Sequence, residues 1–144
     1  IEKGHAAGNE LNGTTSALNL GMARMVSKKK DSIGSTLSER EGMNEEDALK
    51  LVGLKPVNLQ DPVPAGCHLM NKEFAVDAAH DQGYVTSACY SPNLGHHIAL
   101  AFLKSGDTRI GEVIRLVSPL TGIDHDVEVV SAHFIDPDGE RLRA

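Results

Sequence analysis

Two β-rich runs around a single turn, Gln82 to Leu103 (QGYVTSACYSPNLGHHIALAFL), constrain this chain more than any other stretch. Gly83–Tyr90 and Ile98–Leu103 flank Ser91-Pro92-Asn93-Leu94-Gly95. Pro92 fixes φ and removes a donor, while Gly95 can take φ > 0, so the chain can reverse here between paired strands. A long hairpin of this kind needs further strands to cover its apolar face.

The residues around it supply them. Leu49–Leu54 and Gly66–Met70 read as strands, separated by a connector, Lys55–Pro64, whose three prolines (Pro56, Pro62, Pro64) bar it from a central strand. Phe74–Ala78 is short and ambiguous. Glu112–Val117 and the alternating Asp126–Ser131 complete the set, and Asp136-Pro137-Asp138-Gly139 opens a tail. About six short strands at regular spacing predict a small antiparallel barrel or sandwich. Aromatic residues make up only 3%, with no Trp, so the core must be aliphatic.

Residues 1–49 have a different texture. Gly8–Gly13 is turn-rich, Thr14-Thr15-Ser16 offers capping oxygens ahead of a short helix or turn, and Ser35 or Thr36 can cap a brief helix ending near Arg40. No element here is long enough to form a core alone. The segment must lean on the strands or on sequence ahead of it. Glu41–Asp47 reads as a solvated acidic linker. The pattern therefore reads as mainly β, with the strands of a small antiparallel barrel or sandwich behind a segment of different texture. The opening Ile1-Glu2-Lys3-Gly4 reads as an internal piece of a longer protein.

At 144 residues the chain can bury about two-thirds of its unfolded surface. A net charge of −6 argues against nucleic acid or an anionic membrane as partner, both of which are met by basic patches. The one basic cluster, Lys28-Lys29-Lys30, reads as a solvated turn, with a polyanion contact as the alternative. No run of 18 apolar residues suggests a membrane span. Cys67 and Cys89 are expected as two small buried thiols in a reducing, cytoplasmic setting.

Chemistry is sparse in the motifs. His96-His97 would face opposite sides of a strand, and no zinc-ligand spacing occurs among the seven histidines, so no metal is expected. Ser87 and Ser91 lie near His96 without a nucleophile elbow, and the glycines form no phosphate-cradling loop. No catalytic residue is assigned. Glu2 on composition alone is a surface carboxylate, although a carboxylate can accept two hydrogen bonds from a 2-amino-pyrimidinone edge.

Several stretches together carry a resemblance: IEKG at 1–4, GNELNGTT, LNLGMARMVSKKKDSIG, LVGLKP at 51–56, GYVTSACYSPNLGHHIALAFLK and the closing DPDGERLR. Along its whole length the chain resembles the folate-binding aminomethyltransferase family, whose type member is the glycine cleavage T-protein, and most of all its sarcosine oxidase alpha-subunit branch. The resemblance implies a mainly β fold: a small six-stranded antiparallel C-terminal barrel at residues 50–144, preceded by an α+β remnant, residues 1–49, that ends the folate-binding domain. It implies that Glu2, the glutamate of an Arg-x-Glu-x-Gly motif, binds the pterin of tetrahydrofolate. The motif's arginine would precede Ile1, and the family's catalytic aspartate would lie in the N-terminal half. Thr15-Ser16 stands where many relatives have Thr-Pro, and His5 where an aromatic is common.

The implied activity belongs to an assembly, in which tetrahydrofolate takes up the one-carbon unit of oxidised sarcosine to give 5,10-methylenetetrahydrofolate. Flavin and NAD would be held elsewhere. The implied partners are the N-terminal remainder of the same subunit and the flavin-bearing and other subunits of a hetero-oligomer. The fragment alone is expected to be inactive. The alternatives are a T-protein-like aminomethyltransferase, a dimethylglycine oxidase, or a non-catalytic docking barrel.

Overall fold

In a computed structural model that describes residues 1–27, 29–30, 32–41, 43–141 and 143–144, six antiparallel strands close into a barrel. They are β1 (Leu49–Pro56), β2 (His68–Met70), β3 (Asp81–Ser91), β4 (His96–Lys104), β5 (Val113–Ser118) and β6 (Ile123–Val130). Around the barrel the order is β1-β4-β3-β2-β5-β6, with β6 returning to β1. The chain is thus mainly β, as the spacing predicts.

The barrel closes because β1 serves two neighbours in succession. Leu49–Leu54 pairs with β4, and Gly53–Pro56 pairs with β6. Alternate residues fill the interior: Val52 and Leu54, Leu69, Ala99, Ala101 and Leu103, Ile114 and Leu116, Val127 and Val129. Their period of two is that of a strand with one face inward. On β4 the opposite face is buried too, at Ile98, Leu100 and Phe102, so the barrel is covered on the outside along this strand.

The central hairpin is β3–β4, joined through Pro92–Gly95, with Gly95 at φ 76° and its N–H on the Ser91 carbonyl at 2.8 Å. A bulge interrupts it: Val85 pairs with Ala101 and Ser87 with Leu100, leaving Thr86 as the extra residue. The bulge reverses the parity of the strand. Val85 points into the core and Ala88 packs against it, so Ser87, Cys89 and Ser91 share the outer face.

Several bounds differ from expectation. β1 runs on to Pro56, because a proline at the last position of a strand forfeits little of the ladder. β6 starts at Ile123 rather than Asp126, since Ile123, although flanked by polar residues, packs against the core. Phe74–Ala78 is no strand; a 3-10 turn, Ala78–His80, follows, with Asp77 accepting from the His80 N–H. Cys67 is buried, whereas Cys89 is only half-buried, and both are free thiols.

Ahead of the barrel lie turns, a 3-10 turn at Ala23–Met25 and one short helix, α1 (Ile33–Ser38). Among the described residues this segment has no strand. Ser35 does not cap α1; its hydroxyl donates back to the Ser32 carbonyl at 2.6 Å. Of the basic cluster, Lys29 and Lys30 are exposed, and Lys28 lies outside the described residues, as does Asp31. No described helix is long and apolar enough to cross a membrane.

Candidate functional site

Polar side chains fasten the N-terminal segment to the barrel, and the expected site residue, Glu2, is one of them. Asn19 acts at the stretch of β1 that β6 leaves unpaired. Its amide donates to the Leu49 carbonyl at 2.7 Å, and its own carbonyl accepts the Leu51 N–H at 2.7 Å. Its Oδ1 takes both the N–H and the hydroxyl of Ser16, so every polar group of this buried residue is used.

Glu10 is fully buried. Its Oε1 accepts the Ser87 hydroxyl at 2.6 Å and its Oε2 the Ala7 N–H at 2.8 Å, while the neighbouring Asn9 amide donates to the Thr86 carbonyl at 2.9 Å. Burial pushes the carboxyl up, but hydrogen bonds from Ser87 and the local backbone outweigh it and hold Glu10 below the ordinary carboxylate range. The sequence reading missed this residue. Gly-Asn-Glu-Leu-Asn-Gly looks like solvated loop, and the hydroxyl that makes burial tolerable lies 77 positions later.

Glu2 sits at the far end of the same outer face. Its carboxylate accepts the Ser91 hydroxyl on Oε1, and the Asn93 amide bridges Oε1 and Oε2 at 3.0 Å each. These bonds, Ser91 first, lower its carboxyl below the ordinary range against the opposing effect of partial burial. The Glu2 main chain is pinned from the other side, its carbonyl accepting the N–H groups of Phe134 (2.9 Å) and Ile135 (3.0 Å). Gly4, at φ 68°, lies so near the Ala132 carbonyl that a Cβ would fall 2.6 Å from its oxygen. Lys3 reaches the well-buried Asp136 at 3.7 Å.

Around Glu2 is an open recess lined by Lys3, His5, Cys89, Tyr90, Pro92 and Asn93. A larger one, of about 840 Å³, lies within the N-terminal segment between Ala17, Val26, Lys29, Lys30 and Ser38. The recess at Glu2 suits a donor-bearing polar edge. A carboxylate only accepts and offers about four lone-pair positions; Ser91 donates to Oε1 and the Asn93 NH2 straddles both oxygens. Such a group suits a donor edge like that of a 2-amino-pyrimidinone.

The side chains of Ser87, His96, His68 and His80 do not converge on it. Ser87 is taken by Glu10, and the His96 ring turns to the His97 carbonyl at 2.7 Å. His68 and His80 pair separately with Asp81 and Asp77, each at 2.7 Å. Among the described residues no group of three or more His, Cys, Asp or Glu side chains could hold a metal ion.

Comparison with known proteins agrees with this architecture. The family model for the glycine cleavage T-protein C-terminal barrel domain matches residues 50–136. The sarcosine oxidase alpha subunit of Rhizobium meliloti is 41% identical over 143 residues, covering 99% of this chain and 14% of its own length. That of Corynebacterium sp. (strain U-96) is 36% identical, covering 97% of this chain and 15% of its own. The chain thus spans a small part of these relatives. A solved structure, the glycine cleavage system aminomethyltransferase T from Bartonella henselae, superposes with a TM-score of 0.74 at 23% identity. It covers 94% of this chain and 37% of its own, a likeness of fold.

Proposed function

Since the chain belongs to the glycine cleavage T-protein C-terminal barrel family, we propose that it works as the barrel end of a sarcosine oxidase alpha subunit, on the side that binds tetrahydrofolate. Residues 1–49 then end the folate-binding domain and residues 50–144 brace it. Bound tetrahydrofolate would supply the nitrogens that take up the one-carbon unit from oxidised sarcosine, giving 5,10-methylenetetrahydrofolate. Flavin and NAD belong to other parts of the hetero-oligomer. Catalytic groups lie in the remainder of the subunit, so this chain alone is inactive.

The role left to these residues is binding and orientation. Glu2, ionised at neutral pH and held at the barrel rim, accepts an N–H of the pterin edge. One observation carries the reading: the carboxylate expected to meet the ligand is fixed on both sides, by Ser91 and Asn93 at its head and by Phe134 and Ile135 at its main chain. Such fixing lowers the ordering cost of binding.

Calorimetric titration with tetrahydrofolate, on this chain and on the longer subunit, tests it. Replacing Glu2 by Ala removes a charge-assisted hydrogen bond, so affinity should fall about tenfold or more. Wild-type-like binding by the variant, or no binding by the longer subunit, overturns the reading. A second reading, a docking barrel without folate contact, is favoured by the exposure of Leu120 and Ile110 on the barrel's outer loops. It requires subunit association without any affinity for folate.

A further inference from the structure

The turn between β3 and β4 does more than reverse the chain. The Ser91 hydroxyl has one hydrogen, and its orientation is decided locally: Ser91 Oγ accepts the Leu94 N–H at 3.2 Å, so its own hydrogen is free to go to Glu2. Asn93 is constrained likewise. A carboxylate only accepts, so the Asn93 group facing both oxygens must be its NH2. The donors therefore have one consistent direction, from the turn to the carboxylate. Their place on the outer face follows from the extra residue at Thr86, without which Ser91 would point the other way.

We infer that Ser91 and Asn93 are positioning residues, which hold the Glu2 carboxylate at the barrel rim in the orientation that receives N–H groups of the ligand. The inference rests on the tetrahydrofolate reading above and adds to it the residues that aim the carboxylate. A purely structural staple would not need this arrangement. The Glu2 side chain is partly exposed and could be solvated by water instead, and Asn93 is exposed on the turn. A carboxylate only accepts, so the ligand's 2-amino or ring N–H group is selected over a carbonyl.

The test uses the longer subunit with Ser91→Ala, Ser91→Thr, Asn93→Ala, Glu2→Ala and Glu2→Gln, and reads tetrahydrofolate affinity against pH. Glu2→Gln has no carboxyl there and reports the ligand's own titration. Expected are a three- to tenfold loss of affinity in Ser91→Ala and in Asn93→Ala, and recovery in Ser91→Thr. The acidic edge of the binding profile should also move to higher pH in both alanine variants. If Glu2→Ala weakens binding while both alanine variants keep wild-type affinity and profile, the positioning role is wrong and the folate reading stands. If Glu2→Ala binds normally, the folate reading itself fails. Asn93→Ala, on an exposed turn, keeps the test decisive should Ser91→Ala not fold.

Discussion

The Glu10 carboxylate lies fully buried against the barrel wall with its Oε1 2.6 Å from the Ser87 hydroxyl. A buried charge persists only where donors meet it, and the Ala7 N–H supplies the second, on Oε2. Replacing Glu10 by Gln sets an NH2 against a donor and should destabilise the fold by about 1.5–3 kcal/mol. The urea midpoint of the variant, compared with wild type, measures it. An unchanged midpoint would mean that Glu10 is solvated.

Acid should loosen the N-terminal segment before the barrel. Glu2 and Glu10 both titrate below the usual 4.5, so each contributes stability that is present above that value and lost as pH falls through its lowered folded value. Protection factors for the amides of residues 1–16 should fall below about pH 4.5 while those of β1 and β4 hold. Simultaneous loss of protection in both would show that the segment does not open separately.

Gly83 is the position least tolerant of a methyl group. At φ 153°, its Cβ would stand 2.0 Å from the Phe102 carbonyl oxygen of the paired strand. Backbone cannot retreat there without parting β3 from β4. Gly83→Ala should cost about 3 kcal/mol or more, or prevent folding. A thermal melt close to that of wild type would contradict it.

In the barrel interior, Leu54 is fully buried among core side chains and belongs to the strand that closes the sheet. Truncation to Ala leaves a cavity with few ways to collapse, and the loss should be about 2–5 kcal/mol. Chemical denaturation resolves a change of that size.

The two thiols should differ sharply. Burial pushes the Cys67 thiol up, a hydrogen bond with Ser118 opposing it, whereas Cys89 is half-exposed beside the Glu2 recess. A maleimide should modify Cys89 in the native chain and Cys67 only after denaturation, as peptide mass mapping would show. Rapid native labelling of Cys67 would mean that the barrel breathes.

What the sequence disclosed followed from local signals. Pro92 and Gly95 mark the hairpin turn, and the alternation of Ile114 and Leu116 or of Val127 and Val129 marks strands with one inward face. From these about six antiparallel strands were legible, as a barrel or a sandwich, and the family resemblance pointed to the barrel. Thr86 was not: a bulge is one residue of excess over a partner strand, and no residue type announces it. Ser87 and Ser91 therefore gave no sign of facing the N-terminal segment. The same blindness hid Glu10, whose burial depends on a hydroxyl remote in sequence. Glu2 came into view only through a family resemblance, and the reason it holds its place, the donors of Ser91 and Asn93, lies in pairing across the whole chain.

That pairing bears on the order in which a ribosome makes the parts. Ser91 lies 89 positions after Glu2, and the amides of Phe134 and Ile135 come later still. While the barrel is being synthesised, the recess that Glu2 borders has no rim and cannot hold a ligand. It is completed only when β6 has closed and the amides that follow it have folded back over the first residues. A truncation between β6 and Phe134 would then leave the six strands and a slack Glu2, a defect that a folding assay would overlook and a binding assay would not.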